Sequence, residues 1–197
     1  MKLYFVRHGQ TLFNQLKRVQ GWSDAPLTDL GIQQAQDLGI GLKDISFAHA
    51  YSSSSERAYD TATYVIGDRN IEITPLKGLR EMFFGNIEGG HGQGVFDQGI
   101  DLFDLHFEEY GGETLEQAST RFYNTVYSIV LKHQENDNIL IVSHGAIIMS
   151  FIRKVDRDRF IAYHAKHRGI DNCSVTLVDF NHGQFKVESI SDTHYRL

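Results

Sequence analysis

Leu3-Tyr4-Phe5-Val6-Arg7-His8-Gly9-Gln10-Thr11 begins as a short apolar run and ends on an arginine beside a histidine. Four apolar residues in succession predict a strand covered on both faces. The carboxyl end of such a strand is where an open α/β sheet collects ligands. A second stretch repeats the event far away, where Ile139-Leu140-Ile141-Val142 runs into Ser143-His144-Gly145. Two buried strands that each deliver a His-Gly pair predict one site with two imidazoles and a guanidinium. That set suits a phosphoryl group.

Around these two anchors, strand and helix patterns alternate, which predicts an α/β fold with a mostly parallel central sheet flanked by helices. Strands are predicted at 2–6, 47–51, 71–74, 139–142, 174–180 and 185–190, the last two joined by the turn signal Asn181-His182-Gly183. Helices are predicted after Thr28, with Leu30, Ala35, Leu38 and Leu42 on one face, and over 56–64, with Ser53 and Glu56 spaced as a capping box. Thr114 and Gln117 form another capping-box pattern and open a long helix with Leu115, Ala118, Phe122, Val126 and Ile129 on one face. A last helix follows Gly145, over 146–152. The segment 83–112 is rich in glycine, aromatics and acids, and has poor periodicity except for a short helix signal over 101–110. A long loop of this kind is usually functional, and it is placed as a cap over the site.

The 197 residues fit a single domain with that cap inserted, and a hydrophobic fraction of 41% can build its core. A net charge of −6 argues against general affinity for nucleic acid or an anionic membrane. Cys173 is the only cysteine, which rules out an internal disulfide and suits a reducing compartment. No signal segment is seen, and no apolar stretch approaches the roughly 20 residues needed to span a bilayer. A soluble, cytoplasmic protein is expected, and the sequence leaves its oligomeric state open. No compact metal-ligand spacing such as C-x-x-C or H-E-x-x-H occurs, so no metal is expected.

Phosphoryl transfer needs a nucleophile, a charge clamp and an acid for the leaving group. His8 is the candidate nucleophile, since a neutral imidazole nitrogen can attack phosphorus and split one hard displacement into two. Arg7 supplies a neighbouring positive charge that lowers a histidine pKa. Arg57, in the first turn of its predicted helix, is a second clamp. His144 is a third donor, most useful when protonated. Glu81 is the candidate acid, provided a partly dry site raises its pKa. Taken singly, these residues have plainer readings. Arg57 reads as a surface partner of Asp60 or Glu56, and Glu81 as a solvated loop acid. The cap phenylalanines read as core, and Asp101, Asp104, Glu108 and Glu109 as a solvated helix face.

The stretch Leu3–Asn14, LYFVRHGQTLFN, resembles the opening of the histidine phosphatase superfamily, the phosphoglycerate mutase-like family. The similarity continues in family order. It runs through Gln20-Gly21, Asp24, Pro26-Leu27-Thr28, Gly31, Gln34-Ala35, Ser52-Ser53, Arg57-Ala58 and Thr61-Ala62. It resumes at Leu79-Arg80-Glu81, Gly85 to Gly89 and Gly112-Glu113-Thr114, and ends on Ile141 to Gly145. The resemblance implies a metal-free, cofactor-free phosphohistidine mechanism on a small phosphorylated substrate. By motif, His8 is the nucleophile, Arg7, Arg57 and His144 complete the phosphate pocket, and Glu81 is the proton donor. Asn14, Gln20 and the backbone at Gly21 and Gly145 would line that pocket.

Three departures stand out. Ser55 occupies a position that is usually apolar, an exchange expected to loosen packing and spare catalysis. Met82-Phe83-Phe84 follows the glutamate, and His91 to Gln98 replaces the usual small-polar cap sequence. The mutase branch resembles this chain but carries extra cap arginines and a lysine, whereas no Lys or Arg occurs here from Glu81 through Ser119. A bisphosphorylated cofactor would meet repulsion from the cap acids. Hydrolysis is therefore the expected reaction, with a mutase and a non-catalytic phosphate-binding module as alternatives.

Overall fold

The computed structural model describes residues 1–91, 102–167 and 169–196. Its strands are β1 (Lys2–Arg7), β2 (His49–Ser53), β3 (Ile73–Leu76), β4 (Asn138–Ser143), β5 (Val175–Asn181) and β6 (Gln184–Asp192). They form one sheet in the order β3-β2-β4-β1-β5-β6. β1 to β4 run parallel, while β5 lies antiparallel to β1, and β6 to β5. The mostly parallel α/β sheet is thus formed, closed on one edge by a hairpin. That hairpin turns at His182 and Gly183, both with positive φ (50° and 78°), as its two-residue turn requires.

The helices are α1 (Leu12–Gln15), α2 (Asp29–Gly41), α3 (Glu56–Ile66), α4 (Leu115–Val130), α5 (Gly145–Val155) and α6 (Arg157–His164). Alternate residues of the central strands feed two cores. Tyr4, Val6, Leu140 and Val142 pack on α2 and α3, while Leu3, Phe5, Ile139 and Ile141 pack on α4 and α5. The helices that follow β1 and β4 therefore cover opposite faces. Adjacent strands whose helices diverge leave a crevice at their carboxyl ends, and there Arg7 is in register with Ser143. Among the described residues, no helix is long and apolar enough to cross a membrane.

Several local expectations are corrected. β2 and β3 begin two residues later than predicted, because β2 extends into the buried hydroxyls of Ser52 and Ser53 and β3 takes in Pro75. Proline is tolerated there because β3 is an edge strand. Ala35, Leu38 and Leu42 are buried as expected, whereas Leu30 is 53% exposed and Gly31 is buried in its place. Ser53 does not cap α3. Ser55 is the N-cap residue, and the Asp24 carboxylate accepts the Glu56 N–H at 2.6 Å. The Thr114/Gln117 capping box is formed. α1 and α6 had no sequence signal strong enough to announce them. In the cap, the predicted short helix is replaced by two 3-10 turns, Leu102–Asp104 and Phe107–Tyr110. Asp104, Glu108 and Glu109 are exposed there as expected, whereas Phe96, Asp101 and residues 92–98 lie outside the described residues.

The loop after β1 sits directly on α2. A Cβ on Gly9 would stand 2.4 Å from the Gly31 carbonyl oxygen, and one on Gly31 would stand 2.1 Å from the Gln10 carbonyl oxygen. Two backbones touch, and neither can recede without moving His8. On helix propensity alone, Gly31→Ala would gain about 1 kcal/mol. The close approach reverses that sign. The variant is expected to melt below wild type in a thermal scan, and an equal or higher Tm would show that the loop can yield.

Candidate active site

β1 and β4 end side by side, so His8 and His144 stand with ring centroids 5.2 Å apart. His8 is 4% exposed. Its Nδ1–H donates to the Gly9 carbonyl at 2.8 Å, since a carbonyl can only accept. In the neutral ring, Nε2 is therefore left with its lone pair. Burial, then the charges of Arg57 and Arg7, push the His8 pKa well below 6.5, so the ring is neutral at physiological pH. The loop is held from below, where Gly9 N donates to Thr61 Oγ1 at 3.0 Å and Asn172 Nδ2 donates to the His8 carbonyl at 2.8 Å.

Arg57 has no exposed surface, which overturns its plain reading as a surface partner of Asp60 or Glu56. Nη1 donates to Asp24 Oδ1 at 2.8 Å and to the Ser23 carbonyl at 3.1 Å. Nη2 donates to the Gly21 carbonyl at 2.8 Å and to His144 Nδ1 at 2.9 Å. Arg7 donates through Nη1 to the Ile170 carbonyl. The Nε atoms of both arginines are buried without a partner, and so is Gln20 Nε2, whose companion oxygen accepts from Thr11 Oγ1. Buried donors are normally satisfied, so the unpartnered donors of Arg7 and Gln20, which line one cavity with His8, suit an anionic ligand there.

Glu81 is 5% exposed, not solvated. Its carboxylate meets the start of α5, where Oε1 accepts from Ile147 N at 2.8 Å and Oε2 from Ala146 N at 3.0 Å. Burial raises its pKa above the ordinary 4.5, and the backbone donors and Arg57 hold back part of that rise. His144 departs from its expected role as a protonated donor. Burial, then the charge of Arg57, depresses its pKa well below 6.5. Both ring nitrogens are also engaged within the protein, Nδ1 by Arg57 and Nε2 by Ser53 Oγ at 2.8 Å.

A cavity of about 210 Å³ opens here, lined by Arg7, His8, Asn14, Gln20, Glu81 and Gly145 among others. Arg57, His144 and Gly21 are not among the lining residues, and the Gly21 carbonyl is an acceptor for Arg57. Val19, Phe84, Phe103, Met149 and Ile170 supply the apolar part of the wall, and Arg18 also lines it. Phe84 lines the cavity while also belonging to the main core, and Phe83 packs on Trp22 instead. Reasoning from residues missed Asp24, Asn172, Arg18 and most of this apolar wall. Asp24 fell inside a quoted motif but had no assigned role, and the others come from separate segments with no local signal. Among the described residues, no cluster of three or more His, Cys, Asp or Glu could hold a metal ion.

Comparison with known proteins agrees with this fold. The chain is 30% identical over 161 residues to the adenosylcobalamin/alpha-ribazole phosphatase of Escherichia coli K12, covering 79% of each chain. A phosphoglycerate mutase from Bacillus anthracis superposes with a TM-score of 0.88 at 32% identity, over 99% of this chain and 94% of its own. Phosphoserine phosphatase from Entamoeba histolytica, solved with 3-phosphoglyceric acid, superposes with a TM-score of 0.82 at 30% identity, over 100% of this chain and 99% of its own. The family profile itself matches residues 3–193, and the chain belongs to the histidine phosphatase superfamily, branch 1.

Proposed function

We propose that this protein hydrolyses small phosphomonoesters through a phosphohistidine on His8. The observation that carries this reading is a buried, neutral histidine with a free Nε2, flanked by two guanidiniums whose Nε donors lack partners. His8 Nε2 attacks phosphorus in line, so the P–N bond forms as the ester P–O bond breaks. The leaving alkoxide takes the proton of the Glu81 carboxyl group. Glu81, now a carboxylate, removes a proton from water, whose oxygen attacks phosphorus and displaces His8. Orthophosphate leaves, and both residues return to their starting states. Arg7 and Arg57 hold charge on the phosphoryl oxygens throughout. His144 acts through Arg57.

Hydrolysis is favoured over mutase chemistry because a mutase must also grip a second anionic group. No Lys or Arg occurs from Glu81 through Ser119, and Arg18 is the one cation beyond Arg7 among the described lining residues. The relatives include both kinds of enzyme, so the discrimination rests on this chain's own residues.

Turnover of an aryl phosphate in excess chelator is expected for the wild type and not for His8→Ala. Retained turnover in the variant would remove His8 as nucleophile, and turnover that a chelator abolishes would remove the metal-free step. A coupled assay with 3-phosphoglycerate is expected to show a lower kcat/KM than the aryl ester, and the reverse order would return the protein to the mutase branch. Arg57→Ala is expected to lower kcat by on the order of 10²–10³, measured on the same ester.

The pH profile follows from the two shifts. His8 must be neutral, and its pKa is lowered, so activity is lost only when pH falls below the ordinary imidazole value of 6.5. Glu81 must be protonated, and its pKa is raised, so activity is lost as pH rises through a value above 4.5. The acid limb of kcat/KM is expected below pH 6.5, and a limb at or above it would contradict the neutral His8.

A further inference from the structure

Ser53 and Ser55 stand behind His144, away from the cavity, and both are buried. Ser53 Oγ lies 2.8 Å from His144 Nε2 and 3.2 Å from Ser55 Oγ, and it accepts the Ser55 backbone N–H at 3.3 Å. On the other side of the ring, Arg57 Nη2 meets His144 Nδ1 at 2.9 Å. A guanidinium has no acceptor, so Nδ1 must present its lone pair there. The neutral ring then carries its proton on Nε2, and that proton needs an acceptor.

Ser53 Oγ is that acceptor. A hydroxyl offers two lone pairs and one proton. Ser53 spends both lone pairs, one on His144 Nε2–H and one on Ser55 N–H, which leaves its proton for Ser55 Oγ. Every atom in the chain then has one consistent role. With an apolar residue at position 55, the Ser53 proton would be free to turn toward Nε2. That would favour a proton on Nδ1, facing the N–H of Arg57. We propose that Ser53 and Ser55 are positioning residues that hold His144 in its Nε2–H tautomer, so that Nδ1 fixes Arg57 with its Nε left for the phosphoryl group. The effect on turnover rests on the proposed phosphatase reading; the tautomer does not.

The test is the tautomer of His144 in ¹⁵N-labelled protein, read from long-range ¹H–¹⁵N correlations and assigned against His144→Gln. Wild type is expected to show Nε2–H alone. Ser55→Thr and Ser55→Val have nearly the same shape, and both suit the extended backbone of this N-cap residue (φ −73°, ψ 140°), but only threonine keeps a hydroxyl. Ser55→Thr is expected to retain the wild-type spectrum and kcat. Ser55→Val is expected to show both tautomers and to lower kcat roughly fivefold, the scale of one ordinary hydrogen bond. A wild-type His144 that is cationic at neutral pH, or protonated on Nδ1, would overturn the proposal whatever the variants do. A Ser55→Val protein with wild-type tautomer and turnover would overturn it too, and would reduce Ser55 to a packing role. The expected tautomers in a protein that hydrolyses no phosphomonoester would support the proposal and sink the phosphatase reading alone.

Discussion

A guanidinium with no exposed surface constrains everything around it. An unpaired buried charge is prohibitively costly, and removing one partner of a buried ion pair costs about 3–5 kcal/mol. Arg57 meets that demand with partners from separate parts of the chain: the Asp24 carboxylate, the Ser23 and Gly21 carbonyls, and the His144 ring. Satisfying one side chain thus fixes the loop at 21–24, the start of α3 and the end of β4 relative to one another. Asp24 also accepts the Glu56 N–H, so one carboxylate serves the helix end and the cation that the helix carries.

The same burial decides protonation. Two imidazoles stand among two guanidiniums, and desolvation and repulsion both disfavour their charged forms. The positive charge of the site therefore resides on the arginines, which remain protonated through any working pH, while the histidines are left as neutral rings. The Glu81 pKa is pushed upward rather than downward, and burial favours the neutral form there as well. One dry, cationic pocket thereby lowers the pKa of an imidazole and raises that of a carboxyl group on the same cavity wall.

The parts legible in the sequence were those written in adjacent residues. The apolar runs before Arg7 and Ser143 announced the central strands, and their pairing in register is what brings His8 beside His144. Thr114 and Gln117 marked a helix start that the chain uses. What escaped reading depends on contacts across the fold. Leu30 follows helical spacing, yet it is exposed, and the helix start meets the loop after β1 through the close approach of Gly31 to Gly9. Ser53 and Glu56 have capping-box spacing, yet Ser53 is engaged by His144 and Asp24 caps the helix from another loop. The protonation of His144 is set in the same non-local way, because no local pattern shows which groups will surround a ring. The exchange at Ser55, expected only to loosen packing, instead adds a hydroxyl to a buried network.

The cap acids show how a sequence-level charge argument changes once partners are known. Counted as free charges, they would repel a polyanionic substrate. Glu88 instead accepts backbone N–H groups from Trp22, Ser23 and Phe84, tying the start of the cap to the loop that holds Arg57. Glu113 pairs with Arg121 at 2.8 Å, and that arginine also donates to the carbonyls of Gly78, Arg80 and Glu81. Asp104, Glu108 and Glu109 are exposed and absent from the cavity lining. Among the described residues the cavity lining carries Arg7 and Arg18 as its cations, beside the apolar side chains of Val19, Phe84, Phe103, Met149 and Ile170. A carboxylate or phosphate held against those apolar side chains alone would lose its water and gain little in return.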